Sequence, residues 1–165
     1  MLTSNKIKIR VANTQDDQAY LKLREDILLE EYHAADWIND KLHQIQTVLA
    51  FENYTYLLAV INYKTVGYVR IFMGDLPTNF HVARIQVNTL KHYKDTEVEE
   101  KLLLHAEKYA IRHDLRRLVQ FVAQNNYNRL QLNINIGYKI ESKLSKNILL
   151  NQEYLDTYVM AKFVG

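Results

Sequence analysis

The chain has 165 residues, and its 48% hydrophobic and 24% charged content is typical of a folded globular protein with a buried core. It contains no cysteine, which excludes disulfide bonds, a thiol nucleophile and a cysteine-ligated metal site. The 21 basic and 19 acidic residues leave a net charge of +2, and a balance this close argues against a dedicated nucleic-acid-binding protein.

The amino-terminal part of the chain reads as one strand followed by two helices. Alternation of polar and apolar residues predicts the strand at Lys6–Val11. Asn13 or Thr14 is placed to cap the first helix, whose first turn is acidic. Apolar residues recurring on one stripe predict the second helix from Ala34 to about Phe51.

The rest of the chain alternates strands and helices. In order, the predicted elements are the strands Tyr54–Asn62, Thr65–Met73 and His81–Val87, the helix Glu97–Ile111, the strand Arg117–Ala123, the helix Asn126–Ile134, and the strands Lys139–Ser142 and Leu155–Val164. The polar stretch Lys143–Glu153 separates the last two. A helix between the third and fourth of these strands makes them parallel, so a crevice is expected at their carboxyl ends.

This order predicts an α/β fold of one domain, residues 1–165, with a mixed, mostly antiparallel sheet of about seven strands flanked by about four helices. No apolar run approaches the roughly 18 residues of a membrane span. The segment Met1–Arg10 also lacks the apolar core of a signal peptide. We therefore expect a cytoplasmic protein that does not enter a membrane.

The strand–loop–helix segment from His81 to Arg112 is the most informative part of the sequence. Its helix carries the run Leu102-Leu103-Leu104-His105-Ala106. The segment resembles the central motif of the GNAT N-acetyltransferase superfamily, in which a basic or amide residue, a Gly-x-Gly turn and a Leu-Leu-x-x-Ala helix cradle the pyrophosphate of acetyl-CoA. Counting back from the leucines places the basic residue at Lys94 and the two glycines at Glu97 and Glu99.

Three further matches follow in the family's order: Val66-Gly67-Tyr68 at a strand start, Asn126 with Gly137-Tyr138, and the last strand around Tyr158–Lys162. The resemblance therefore covers nearly the whole chain. It implies the GNAT fold and an N-acyltransferase that uses acetyl-CoA or another acyl-CoA and acts on an amine of a small molecule or peptide. A homodimer is left open. No metal is expected, because histidines and carboxylates do not occur at ligand spacing.

The resemblance also implies site residues. Those expected to contact the cofactor are Ile85, Gln86 and Val87 through their backbone, with Lys94, Asp95, Thr96, Glu97, Val98, Glu99 and Asn126. His81 lies near the position of the family's usual glutamate base, and histidine can replace it because its pKa is near neutrality. Tyr138, or Tyr127, is a candidate proton donor to the departing thiolate. A structural histidine and chance proximity among 12 tyrosines are the alternatives.

Three departures from the family pattern leave the function open. One is that the segment between Val87 and Lys94 is about two residues longer than the usual pattern. Glu97 and Glu99 put negative charge where the pyrophosphate would bind, yet Thr96 and Glu99 also form a Thr-x-x-Glu capping box that would satisfy the helix without a ligand. Asn133 stands where the family often has its proton-donating tyrosine. The alternative to a transferase with weakened cofactor affinity is thus a catalytically inactive GNAT-fold module for binding or dimerisation.

The hairpin tyrosines, Tyr54, Tyr56, Tyr63 and Tyr68, have two interpretations. They could form an aromatic recognition surface. They could equally reflect the preference of aromatic residues for strands.

Overall fold

The computed structural model describes residues 6–32 and 53–165, so the predicted helix Ala34–Phe51 lies outside the described residues. The elements are β1 (Lys8–Val11), α1 (Asp17–Tyr32), β2 (Tyr54–Ile61), β3 (Lys64–Met73), β4 (Val82–Thr89), α2 (Glu97–Arg112), β5 (Arg117–Ala123), α3 (Tyr127–Asn135), β6 (Lys139–Leu150) and β7 (Glu153–Phe163). In this part of the chain the strands form one mixed seven-stranded sheet, in the order β1-β2-β3-β4-β5-β7-β6. The predicted α/β class and mixed sheet are confirmed.

The described residues divide into two compact units. One is drawn from the chain up to Phe72 and from Val87–Ala106, and the other from Met73–Gln86 and from Glu107–Gly165. The assignment of residues 1–165 to a single domain stays a prediction. No helix in the described ranges is long and apolar enough to cross a membrane.

In the first unit, β1 pairs antiparallel with β2, and a short 3-10 turn connects β1 to α1. Asn13 caps that turn, as predicted: its side chain accepts a hydrogen bond from the Gln15 amide, and Asp16 accepts one from the Asn13 amide. Arg10 donates two hydrogen bonds to Asp16, at 2.7 and 2.6 Å. The acidic first turn therefore also ties the start of α1 to β1.

The hairpin of β2 and β3 approaches β4 and α2 closely at Gly67. Asn62 and Tyr63 form its turn with φ of 48° and 65°, one residue earlier than the predicted turn. Gly67 allows the close approach: a Cβ there would lie 2.8 Å from Thr89 Cγ2 and 3.3 Å from Leu102 Cδ1. Glycine is thus needed at position 67 because it is small, and not because the backbone has an unusual φ angle there.

In the second unit, β4 and β5 are parallel, with Val82 opposite Arg117 and Arg84 opposite Val119. This confirms the predicted βαβ unit. β7 pairs antiparallel with both β5 and β6.

The predicted polar break at Lys143–Glu153 is wrong. β6 continues to Leu150 and β7 begins at Glu153, so the two make a long hairpin closed by Asn151 and Gln152. Backbone pairing maintains β6 even though all but two of its residues are exposed. A strand without a buried face has no alternation for sequence reasoning to detect.

Candidate functional site

The connection from β4 to α2 forms the candidate cofactor loop. Buried Leu90 anchors its start, where the Leu90 amide donates to the Val66 carbonyl at 2.9 Å. A 3-10 turn, Lys91–Tyr93, follows. Exposed Lys94 then precedes Asp95, whose φ of +57° turns the chain into the helix. The loop is therefore held at its β4 end by backbone hydrogen bonding and burial.

Thr96 caps the first turn of α2 with its hydroxyl. That oxygen accepts from the Val98 amide at 3.3 Å and donates to the Tyr93 carbonyl at 2.6 Å. The Glu99 amide donates to the Thr96 carbonyl at 3.2 Å. These bonds satisfy amides that the helix itself leaves unpaired.

Glu99 completes the cap by turning its carboxylate into the protein. The residue is only 3% exposed, and its two carboxylate oxygens accept from the Asp95 amide at 3.3 Å and from the Thr89 hydroxyl at 3.4 Å. In a capping box, Thr96 would accept from the Glu99 amide and Glu99 would accept from the Thr96 amide. Here each side chain accepts from the amide one residue earlier, Thr96 from Val98 and Glu99 from Asp95. The helix start is self-capped, and the Asp95 amide already has an anionic acceptor.

Glu97 has the opposite orientation. Its side chain is 66% exposed and pairs with Lys101 at 2.9 Å, one turn further along α2. An exposed pair of this kind is screened by solvent. Of the two glutamates at the family's glycine positions, only Glu99 places a buried charge within the loop.

Ile85, Gln86 and Val87, whose backbone groups are expected to contact the cofactor, lie on β4. They follow the residues of β4 that pair with β5. Ile85 and Val87 are buried, whereas the Gln86 side chain is exposed. The register with β5 covers Val82–Arg84. Contact of these backbone groups with pantetheine stays a prediction.

His81 lies just before the amino end of β4. Its carbonyl accepts from the Arg116 and Arg117 amides at 2.8 and 3.0 Å, and its ring makes an edge contact with Phe80. Ligands of parallel strands usually bind at the carboxyl ends instead. The position favours the structural alternative, and the role as base stays a prediction.

Tyr138 and Asn133 are both fully enclosed in the second unit. Burial raises the pKa of the Tyr138 phenol, and its hydroxyl has no hydrogen-bond partner in the described ranges. Asn133 accepts from Gln120 at 3.3 Å and contacts Met160 sulfur at 3.6 Å. Tyr127, by contrast, is 75% exposed. A proton donor must reach the reacting atom, and because the Tyr138 hydroxyl is enclosed, its role as donor stays a prediction.

Asn126 is the cap of α3: its side chain accepts from the Arg129 amide at 3.3 Å. An ion pair that the sequence did not suggest lies at the other end of α3. Lys162 donates to Glu107 at 2.7 Å and to the Ile136 carbonyl at 2.5 Å, beside Gly137 with φ of +100°. Gly137 was the one feature of the sequence that could have indicated this ion pair. Because glycine has no side chain, it leaves room for the Lys162 side chain.

Comparison with solved structures places these elements in a known fold. The acetyltransferase of the GNAT family from Streptococcus pneumoniae is 23% identical, with a TM-score of 0.80 over 97% of this chain and 100% of that one. The yncA protein of Salmonella typhimurium, solved with its cofactor acetyl-CoA, is 17% identical, with a TM-score of 0.78 over 98% and 95%.

The ribosomal-protein-S18-alanine N-acetyltransferase from Escherichia coli is 16% identical, with a TM-score of 0.77 over 97% and 95%. No protein-family model and no curated protein matches the sequence. The chain therefore has the fold of the GNAT acetyltransferases.

Proposed function

We propose that this chain is a member of the GNAT superfamily and an acyl-CoA-dependent N-acyltransferase that acts on an amine of a small molecule or peptide. The observation that carries the proposal is the agreement of the fold, over nearly the whole chain, with solved N-acetyltransferases. One of these neighbours was solved with acetyl-CoA. The central motif of the sequence supports the same conclusion.

The residues of the β4–α2 loop fit a pyrophosphate in chemical type. Lys94 supplies a cation, and the amino end of α2 supplies the positive end of a helix dipole, although its Val98 and Glu99 amides are already paired within the cap. The β4 backbone at Ile85, Gln86 and Val87 would hold the pantetheine arm. Bound acetyl-CoA supplies an acyl thioester that a neutral amine can attack.

Two proton transfers are then required of the chain or of solvent. The amine must lose a proton before attack, and His81 is the candidate base. Asn133 has no titrating proton, so the departing thiolate would be protonated by Tyr138 after a movement, by exposed Tyr127 or by water.

Glu99 sets the strength of cofactor binding in this proposal. Its carboxylate occupies the Asp95 amide and repels the pyrophosphate. A like-charge pair about 6 Å apart costs roughly 0.7 kcal/mol in water and about 3 kcal/mol at an effective dielectric of 20. We therefore expect weak cofactor binding, not its loss.

The test is calorimetric titration of coenzyme A into the wild-type chain and into Glu99→Gln, which keeps the shape of the cap and removes its charge. We expect Glu99→Gln to bind between about threefold and about a hundredfold more tightly. Glu97→Gln is the matched control, with a smaller effect because Glu97 is exposed and paired with Lys101.

If neither the wild-type chain nor Glu99→Gln binds coenzyme A at millimolar concentration, the transferase proposal is wrong. The inactive binding module would then be the better interpretation of the self-capped helix. Equal affinity of Glu99→Gln and wild type would instead show that Glu99 does not face the pyrophosphate.

A further inference from the structure

One side chain of α1 contacts the candidate cofactor loop. The Glu30 carboxylate accepts a hydrogen bond from the Lys91 amide, with 2.8 Å between Oε2 and the nitrogen. The two residues are 61 positions apart in the chain, and both belong to the first unit. The β4–α2 loop is therefore held by α1 as well as by the Leu90 amide, which bonds to β3.

The position of Glu30 follows from the period of α1. Tyr20, Leu23 and Ile27 are buried and recur at helical spacing, so they form the inward face of the helix. Continuing that spacing by three residues reaches Glu30, which lies on the same stripe but is exposed. The stripe thus ends in a carboxylate, at the end of α1 that lies beside the loop.

The helix itself gains nothing from a carboxylate at this position. Glu30 lies in the last turn of α1, where the negative end of the helix dipole favours cations, and that turn has no basic residue. The partner that stabilises the charge comes from the loop instead, because a backbone amide and a carboxylate form a charge-assisted hydrogen bond.

At the loop, Glu30 supplies a cap that the local sequence lacks. The 3-10 turn Lys91–Tyr93 begins after Leu90, whose apolar side chain makes no capping hydrogen bond. The Lys91 amide is the first of the turn, and an amide at such a position has no partner inside the turn itself. Glu30 accepts from it and so caps the turn from another element.

The same turn determines where Lys94 lies. The Lys91 carbonyl accepts from the Lys94 amide at 3.2 Å, and the Leu90 carbonyl accepts from the Tyr93 amide at 2.8 Å. Lys91 is thus bonded to Glu30 through its amide and to Lys94 through its carbonyl. A shift of Lys91 would therefore move the backbone of Lys94, the cation proposed to bind the pyrophosphate.

We propose that Glu30 is a positioning residue for cofactor binding: its carboxylate caps the 3-10 turn and thereby holds the backbone of Lys94 where the ammonium group can meet the pyrophosphate. This inference rests on the proposed N-acyltransferase function. Glu30 acts through Lys91 and Lys94 and does not contact the cofactor. Its contribution is preorganisation, since a loop already in its binding conformation loses less free energy on ordering when the ligand binds.

Amide hydrogen exchange of the unliganded protein tests the cap without any cofactor. In Glu30→Ala, the Lys91 and Lys94 amides should exchange faster than in the wild type, because the turn has lost its cap. Glu25→Ala is the matched control. Glu25 is a glutamate of the same helix that pairs with Lys22, so its substitution should leave both loop amides unchanged.

Calorimetric titration tests the consequence for the cofactor. Glu30→Ala should bind coenzyme A about three- to tenfold more weakly than the wild type, which is the effect expected from losing one hydrogen bond. It should bind pantetheine, which lacks the pyrophosphate, as the wild type does. Glu30→Gln should recover most of the affinity for coenzyme A, because its amide oxygen can still accept from Lys91. A purely structural role of Glu30 would not separate the two ligands.

A double-mutant cycle shows whether Glu30 acts through Lys94. Lys94→Ala removes the cation itself, so adding Glu30→Ala to it should weaken coenzyme A binding less than Glu30→Ala does alone. Additive effects of the two substitutions would mean that Glu30 does not act through Lys94, and would overturn the inference.

The inference is also overturned if Glu30→Ala leaves the exchange of the Lys91 amide unchanged, or if it weakens pantetheine binding to the same extent as coenzyme A binding. Coenzyme A binding that is equally tight in Glu30→Ala and the wild type would overturn this inference alone. If no variant binds coenzyme A while Glu30→Ala still speeds the exchange of both amides, the proposed function is overturned. Of this inference, only the capping of the turn by Glu30 would then remain.

Discussion

At the scale of single residues, the most consequential finding is that two neighbouring glutamates differ in burial and in hydrogen-bond partners. Glu97 is exposed and paired along its own helix, whereas Glu99 is buried and caps the loop through the Asp95 amide. Sequence alone predicted a self-capping helix as one alternative. The sequence could not show which groups each glutamate contacts. The direction of the Glu99 side chain depends on the Thr89 hydroxyl, which lies on β4.

Asp16 provides a prediction at this scale. Hydrogen bonds from Arg10 lower the pKa of Asp16 below its ordinary value of 3.8, while its partial burial opposes them. A carboxylate with a lowered pKa contributes stability above its ordinary pKa, and that contribution is lost as the pH falls through the lowered value. Part of the acid sensitivity of the fold, below about pH 4, should therefore come from Asp16.

Unfolding in urea across pH 2–7 measures this dependence. Asp16→Asn should be less stable than the wild type at neutral pH, and the difference should shrink in acid as the wild-type Asp16 becomes protonated. Asp75→Asn, a substitution at an exposed position, is the matched control. A constant difference between Asp16→Asn and wild type at every pH would contradict the assignment.

At the scale of elements, β5 and the start of α2 were predicted to the residue, since a strand or helix with one buried face shows its period in the sequence. Both strands of the late hairpin were predicted, but their full length and the turn between them were missed for two reasons. β6 has almost no buried face, and its turn uses Asn151 and Gln152 at positive φ, so no glycine marks it.

Gly67 gives the prediction at element scale. Its place in β3 allows close packing against β4 and α2, and an added methyl group would meet Thr89 Cγ2 at 2.8 Å and the Asn88 carbonyl oxygen at 3.1 Å. Gly67→Ala should lower the free energy of unfolding by about 1–3 kcal/mol, as overpacking does in other cores.

Urea unfolding of Gly67→Ala and of the double variant Gly67→Ala/Thr89→Ser checks that reason. Serine removes the nearest clashing methyl group and keeps the hydroxyl that donates to Glu99. The double variant should recover part of the lost stability. No recovery would mean that the Asn88 carbonyl, not Thr89, opposes the added methyl group.

At the scale of the whole molecule, motif order in the sequence was enough to predict the fold, which similarity to solved acetyltransferases then confirmed. Side-chain clusters inside the fold could not be predicted in the same way. Tyr20, Tyr56 and Tyr68 are brought together only when α1, β2 and β3 pack. Residues far apart in sequence and common in type give no spacing signal.

Cofactor binding should be visible as stability of the whole chain. A ligand at a hundred times its dissociation constant adds about 2.7 kcal/mol to the free energy of unfolding. For a chain of this length that corresponds to a rise of roughly 5–11 °C in Tm. Differential scanning fluorimetry with coenzyme A, and with pantetheine as a control that lacks the pyrophosphate, measures it. An equal shift with both would place the binding energy outside the β4–α2 loop.

The long exposed β6 strand has a consequence for behaviour at high concentration. It ends the described sheet, and the edge of this twelve-residue strand that faces away from β7 is a template onto which a second chain could align. Lys139, Lys143 and Lys146 are spaced along it, so two copies in antiparallel contact would meet with like charges. The polar composition that concealed the strand in the sequence thereby protects it from aggregation.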